Sequence, residues 1–308
     1  LFDELFGRIE ERLDADRLVG VGHRIVHGGG EFARPAPITD AVLRRLDALV
    51  PLAPLHQPHN LAAVRAVAGV RPGLRQIACF DTAFHHDMPA VARRFALPRS
   101  FETEGIRRYG FHGLSYEYIA GHLGAAAPDL ARVIVAHLGN GASLCALKDG
   151  HSIDTTMSFT PLDGLVMGTR CGALDPGVVL YLLRQGMGDA EIEDLLYHRS
   201  GLLGISGIGS DMRSLLASPA PEAGEAIELF TFRCAREMGA LASSLGGVDA
   251  IVFTAGIGEN APAIRAAICA RLAWLGVALE ADANARGSEC ISTIDSAVAV
   301  LVIATDEE

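Results

Sequence analysis

The chain has 308 residues, half of them apolar, a formal net charge of −11, and a single lysine, Lys148, among its 26 cationic side chains. That length supports two domains with cores of their own, and the apolar share excludes a disordered chain. The acidic balance argues against nucleic acid or an anionic membrane as partner, no apolar run is long enough to span a bilayer, and side-chain contacts to phosphate fall to arginine.

In chain order, Leu1 to Leu18 carries Leu1, Leu5, Ile9 and Leu13 at helical spacing. Leu18 to Val26 reads as a short strand ending in HGGG, residues 27–30. A helix is expected over Asp40–Leu49, then a Pro/His stretch over Pro51–Asn60, then a helix over Leu61–Val70. Gln76–Phe80 is a buried strand with Asp81 at its end. Residues 84–98 read as loop and helix, and IRRYGFHGLS (106–115) opens a helix that runs to Leu123. A β meander follows over 132–137, 143–147 and 151–156, then a long loop over Phe159–Pro176. Helices are expected at 177–185, 189–198, 221–245 and 261–274, a turn-rich stretch at 200–211, and strands at 250–254, near 291–293 and at 298–304. There is no internal repeat and no low-complexity segment.

The most informative stretch is HLGNGAS, His137–Ser143. Two glycines around an Asn between strands allow positive φ and leave backbone N–H groups uncovered, which is one way to hold phosphate. A second strand–glycine junction is AGIGEN, Ala255–Asn260, where a helix N-terminus favours an anion. Three strands end in polar or glycine motifs: Asp81, AGIGEN and TDEE (305–308). In open α/β sheets ligands gather at carboxyl ends of strands, so the three motifs are expected to converge beside the Gly139–Gly141 hairpin. There is no P-loop and no strand lysine of the protein-kinase type.

Several side chains carry two readings each. Arg24, in an apolar strand followed by three glycines, needs an anion: a ligand, which the glycines let approach, or an internal acid. Arg170, in the glycine-rich GLVMGTRCGALDP, is an anion clamp or a surface arginine. Asp81 orients a nucleophile or metal water, or caps the next turn. Asp306 and Glu307 hold Mg²⁺ or form a capping box. Of eleven histidines, His112 and His137 are the best placed to stabilise charge on a moving phosphoryl group. His85–His86 and His56/His59 are weak as metal pairs. Asp211–Arg213 contacts a base or ribose, or starts a capped helix. Six cysteines without a CxxC fit buried thiols in a reducing compartment, not a zinc site or disulfide framework. With no signal peptide recognised, the expected location is the cytoplasm.

GHRIVHGG, APLHQP, FDTAFH, GIRRYGFHG, HLGNGAS, TPLDGLVMGTRCGALDP, SGLLGISG, FTAGIGEN and TDEE occur in one order over residues 20–308. Together they resemble the acetokinase family. The resemblance implies an α/β protein of two ribonuclease H-like (actin-like ATPase) domains. Residues 1–84 would form a partial N-terminal domain and 85–308 the C-terminal nucleotide-binding domain. It implies reversible, ATP-dependent phosphorylation of acetate to acetyl phosphate, with Mg²⁺ (or Mn²⁺), ATP/ADP as co-substrate and a homodimer. Arg24 and Arg170 match arginines that hold carboxylate and transferring phosphoryl, His112 a transition-state-stabilising histidine, Asp81 a catalytic aspartate, His56 a further active-site histidine, and Glu307 a Mg²⁺ ligand. His137, Leu138, Gly139, Asn140 and Gly141 match nucleotide-contacting positions, as do Asp211, Met212 and Arg213, and Gly256, Ile257, Gly258, Glu259 and Asn260. Val26, Leu55, Phe111 and Pro161 match the apolar pocket around the substrate methyl.

The alternatives are a propionate- or butyrate-preferring kinase and a non-catalytic, actin-like nucleotide-binding module. The family opens with an Asn-x-Gly-Ser-Ser-Ser hairpin and a lysine facing the phosphates; this sequence lacks that region, and Asp306 stands where Asn is usual. Both ends read as cut, at Leu1 without a Met and at Glu308 after a strand. The expectation is that these 308 residues by themselves fold poorly in the first half and have little kinase activity.

Overall fold

The computed structural model describes residues 7–8 and 18–307. The chain divides into two compact units, Leu1–His86 and Asp87–Glu308. The helix expected over 1–18 falls almost wholly outside the described residues; Gly7 and Arg8 are helical.

The first unit is built on a three-stranded sheet. β1 (Gly20–Ile25) and β3 (Arg75–Phe80) run parallel, with Ile25 opposite Phe80, and the two-residue β2 (Ala36–Pro37) pairs antiparallel on the far side of β3. A parallel pair needs a crossover. Here it holds α1 (Asp40–Ala48), capped by Thr39 through its side chain to the Val42 N–H, and α2 (Gln57–Val70). α2 starts four residues before the sequence reading placed it. Pro58 fits the first turn of a helix, where its missing N–H has no partner to lose. Leu61, Val64 and Val67 face inward from α2. Leu61 and Val64 meet Ile25, Phe32, Leu46, Ala78 and Phe80 in one core.

The second unit is built on a five-stranded sheet of order β6-β5-β4-β7-β8. β4 (Arg132–Leu138), β5 (Ala142–Lys148) and β6 (His151–Thr155) form an antiparallel meander, while β7 (Ala250–Thr254) and β8 (Ala299–Val302) add in parallel beyond β4. Every residue of β7 is buried, as its unbroken apolar run requires. The helices are α3 (Gly113–Ala126), α4 (Pro176–Arg184), α5 (Asp189–His198), α6 (Gly201–Ser206), α7 (Met212–Ala217), α8 (Pro221–Leu245), α9 (Ala255–Asn260), α10 (Pro262–Ala270) and α11 (Ala281–Arg286), with shorter turns of helix at 90–93 and 99–103. α8 buries Ala223, Ala226, Phe230, Cys234, Met238, Leu241 and Leu245, a three- and four-residue spacing that makes one apolar stripe.

Three expectations change. The turn-rich 200–211 holds a helix, α6. AGIGEN is itself a helix, α9, not a loop. No strand forms near 291–293; the local pairing is two isolated bridges, Leu279–Ser292 and Cys290–Leu301. Of the three strand-end motifs, two lie in one sheet: β7 sits beside β4 and β8 beside β7, so α9, the 139–141 turn and residues 303–307 reach the same end of it, while Asp81 follows β3, in the sheet of the first unit.

Candidate active site

In the second unit, β4 and β5 are joined by Gly139, Asn140 and Gly141. Neither glycine has positive φ, and Gly139 donates its N–H to the Gly141 carbonyl at 3.0 Å. The reason for glycine at 141 is close approach. A Cβ there would lie 3.0 Å from Arg170 Nη2 and 3.4 Å from His112 Nε2. Two nitrogen groups thus converge on one point beside the turn.

Arg170 arrives from the loop between β6 and α4. Its Nη1 donates to the Pro161 carbonyl at 2.7 Å. Burial pushes its guanidinium down from the ordinary arginine value, and among the described residues it has no carboxylate in a salt bridge. A half-buried cation held this way is poised for an anion.

His112 caps α3 from the left-handed region, at φ 59°, and makes no side-chain capping bond. Non-glycine residues at positive φ carry strain of about 1 kcal/mol or more. Here the strain turns the imidazole back toward the sheet. Its Nδ1 meets Ser143 Oγ at 2.8 Å, and Ser143 Oγ also meets the buried Tyr116 hydroxyl at 2.5 Å. That leaves Nε2 as the nitrogen on the Gly141 side. The His112 ring stacks on His137, centroids 4.2 Å apart. His137 Nδ1 meets Ser115 Oγ at 2.9 Å, and Thr305 Oγ1 donates to Ser115 Oγ at 2.8 Å. Glu307 Oε1 lies 3.9 Å from His137 Nδ1.

Next to this cluster is a cavity of about 640 Å³. It is lined by Gly139 and Asn140 from the turn, Ser210–Arg213 and Leu216 around α7, and Gly256, Ile257, Asn260 and Ala261 around α9. The volume suits a nucleoside-sized ligand. Three segments far apart in sequence meet there because β4 and β7 are neighbours and α7 packs on α8. Asp211 is both a wall of the cavity and the cap of α7. Its carboxylate accepts from the Arg213 N–H at 2.8 Å and pairs with Arg213 Nη2, also at 2.8 Å. The Arg213 guanidinium first, then the backbone bond, hold the Asp211 carboxyl down at about 2. His137, Leu138, Gly141, Gly258 and Glu259 do not line the cavity. Gly258 packs on the Phe253 backbone and the Ala136 carbonyl, and Glu259 Oε1 accepts from the Thr305 N–H at 3.2 Å.

In the first unit, Arg24 and Asp81 form a two-pronged pair. Arg24 Nε donates to Asp81 Oδ1 at 3.0 Å and Nη2 to Oδ2 at 2.9 Å. Parallel pairing of β1 and β3 puts them side by side, and the Asp81 N–H donates to the Ile25 carbonyl. The Arg24 side chain is 47% exposed and that of Asp81 5%. Val26 donates its N–H to Asn60 Oδ1 at 3.0 Å, Leu55 is half-buried, and His56 is the N-cap residue of α2. The HGGG glycines are not an open approach. Gly29 has φ 62° and a Cβ there would strike Leu49, while a Cβ on Gly28 would lie 3.0 Å from the Phe80 ring. They serve a tight, packed turn. Phe111 and Pro161, the other two residues matched to the methyl pocket, are buried in the second unit.

No cluster of three or more His, Cys, Asp or Glu that could hold a metal occurs among the described residues. The donor set fits Mg²⁺ of the phosphate-bound kind, which takes one or two carboxylates and completes its shell with water and substrate oxygens. Glu307, 16% exposed at its side chain, is a carboxylate of the kind such an ion uses.

The model of the Acetokinase family matches residues 3–308. The chain belongs to the acetokinase family. It is 60% identical to a protein named acetate kinase from Rhodopseudomonas palustris, over 99% of this chain and 78% of that one. A solved propionate kinase from Francisella tularensis superposes with a TM-score of 0.96 at 40% identity, covering 100% of this chain and 81% of the other. An acetate kinase structure from Porphyromonas gingivalis gives 0.87 at 39% identity, covering 95% and 76%. The acetokinase fold is the actin-like ATPase fold, and the meander-plus-two-parallel-strands sheet of the second unit is its ribonuclease H-like signature.

Within this acetokinase chain, several positions escaped the sequence reading. Ser143 and Ser115 orient the two histidines, and Tyr116 backs Ser143. Ser115 and Tyr116 stand three and four residues after His112, on its helix face, and Ser143 faces His137 in the strand register. Those spacings were the available signal.

Proposed function

We propose that this protein transfers the γ-phosphoryl group of ATP to acetate, giving acetyl phosphate and ADP, and runs the reverse reaction. The observation that carries the proposal is the half-buried Arg170 guanidinium, in no salt bridge with a carboxylate among the described residues, converging with His112 Nε2 on Gly141 beside the nucleoside-sized cavity. A nucleotide switch without an acceptor has no use for such a cation, so this favours the kinase over the non-catalytic module.

An acetate oxygen is already an anionic nucleophile and needs no strong base. It forms a bond to the γ-phosphorus, the bond from that phosphorus to the β–γ bridging oxygen breaks, and the electron pair leaves on ADP. The work of the chain is positioning and charge neutralisation. Arg170 takes the phosphoryl oxygens, His112 donates from Nε2 to the same group, and Ser143 holds the ring for that. In the first unit the Arg24–Asp81 pair, with His56, Val26 and Leu55, is assigned to the acceptor carboxylate and its orientation; in the second, Phe111 and Pro161 are assigned as apolar residues for the acceptor methyl. The adenosine is assigned to the cavity between the 139–141 turn, α7 and α9. Glu307 would hold a Mg²⁺ ion, which would supply positive charge to the phosphates.

The reading carries a cytoplasmic, reducing setting, supported by six free thiols. It also carries a homodimer. α4 has no buried residue although its sequence is PGVVLYLLR, and Leu180, Tyr181 and Leu183 are 51, 58 and 45% exposed. An apolar helix face of this kind is suited to a second copy. Acceptor size is the softer part. One methylene changes kcat/KM by about 10- to 200-fold, so rates with acetate, propionate and butyrate test it, and a higher kcat/KM for propionate would move the assignment to a propionate kinase.

A further inference from the structure

Arg265, on α10, is 1% exposed and heads the largest fully buried side chains. A buried guanidinium usually answers a carboxylate. All four hydrogen bonds of this one go to uncharged oxygens. Nη1 donates to the carbonyls of Gly258 and Glu259, both at 2.8 Å, Nε to Asn284 Oδ1 at 2.8 Å, and Nη2 to the Asn284 carbonyl at 2.7 Å. Asn284, itself buried on α11, donates Nδ2 to the Pro262 carbonyl at 2.9 Å. One cation thus ties the last carbonyls of α9 to α11, and Asn284 ties both to the start of α10. Helix ends leave such carbonyls unpaired, and a cation there opposes the helix dipole favourably.

The other end of α9 is poorly held. Ala255 enters the helix at φ 64°, and Thr254, its cap residue, makes no capping bond. The Thr254 hydroxyl is buried without a partner. Six residues are too few for a helix to hold itself. Yet α9 presents Gly256, Ile257 and Asn260 to the cavity, and Glu259 receives the Thr305 N–H two residues before Glu307.

We propose that Arg265 is a positioning residue for the nucleotide site, a buried clamp that keeps α9 where Gly256, Ile257 and Asn260 meet the nucleotide and keeps Glu259 on the segment that carries Glu307. This rests on the nucleotide assignment of the cavity. The clamp has to be an arginine. A lysine ammonium gathers its donors on one atom and cannot span acceptors on two helices, and an apolar side chain would strand the carbonyls of Gly258, Glu259 and Asn284.

The test is Arg265→Lys and Asn284→Ala, read by calorimetric titration with ATP, thermal unfolding, hydrogen exchange at residues 256–260, and steady-state kinetics. The dissociation constant for ATP is expected to rise about 10-fold or more in Arg265→Lys, as a displacement of about 1 Å at a binding element allows. Exchange at 256–260 should quicken, and the KM for acetate should hold within about 2-fold, as for a contact remote from the acceptor. Asn284→Ala keeps the cation and both α9 contacts, so a smaller shift in the same direction is expected, and it carries the test if Arg265→Lys does not fold. ATP affinity and exchange unchanged in a folded variant overturn the proposal, as does a lowered Tm with unchanged affinity. If the unsubstituted protein binds no ATP, the nucleotide assignment fails. Faster exchange at 256–260 in the variants then still supports the clamp, and unchanged exchange overturns it.

Discussion

A Cβ on Gly141 would lie 3.0 Å from Arg170 Nη2, so any side chain at this turn position moves the guanidinium. Gly141 does not line the cavity assigned to the nucleotide. Gly141→Ala is therefore expected to lower kcat by about 10- to 100-fold through misplacement of the charged group, with ATP affinity nearly unchanged. Kinetics beside calorimetry read the split. Equal losses in kcat and ATP affinity would assign Gly141 to nucleotide binding instead.

Arg170 is held at a cost to stability, since burial works against its charge and no acid among the described residues pairs with it. Arg170→Gln removes the charge and leaves a shorter, still polar side chain that ends short of the Pro161 carbonyl. It is expected to lose about 10²- to 10³-fold in kcat while the Tm stays level or rises. A fall in Tm of several degrees would mean that the arginine is a structural strut.

Arg132 and Asp249 join the starts of β4 and β7, with Arg132 Nη2 at 2.5 Å from Asp249 Oδ1. The hydrogen bonds from Arg132 hold the Asp249 carboxyl below the ordinary aspartate value. A depressed carboxyl contributes stability that is present above its unfolded value of about 3.9 and lost as pH falls through the folded value. The stability gap between the unsubstituted protein and Asp249→Asn should be full at neutral pH and close on acidification below about pH 4. Both side chains are about a quarter or more exposed, so the gap is modest, about 1 kcal/mol or less. Urea unfolding at several pH values checks this, and a gap that widens in acid contradicts it.

The exposed α4 face predicts self-association. Leu180→Glu with Tyr181→Glu should shift the protein from dimer to monomer in sedimentation and leave the secondary structure intact. An unsubstituted protein that sediments as a monomer at micromolar concentration would remove the assignment.

The candidate strings stood out because they break local patterns: a glycine triplet after an apolar strand, an arginine among glycines, a histidine among aromatics. α8 and β7 were legible from spacing and from an unbroken apolar run. α6 and α9 were not, because GLLGIS and AGIGEN carry two glycines each and glycine opposes helix. Packing and the Arg265 clamp override that. The glycines of HLGNGAS were expected to supply positive φ; neither has it, and what Gly141 supplies is room for Arg170. Arg24 shows how two readings can coexist: it does meet an internal acid, Asp81, and the pair as a unit remains placed at the strand ends. The strand near 291–293 failed because Ile291 is one apolar residue among polar ones, and its neighbours Cys290 and Ser292 form only isolated bridges.

The central claim is transfer from ATP to a carboxylate. Its most direct measurement is acetyl phosphate formation from ATP and acetate, trapped by hydroxylamine as the hydroxamate. Product that requires both ATP and acetate, at whatever rate, and that is abolished by Arg170→Gln is the result expected. ATP binding of ordinary affinity with no acetate-dependent product would contradict the account and leave a nucleotide-binding module in its place.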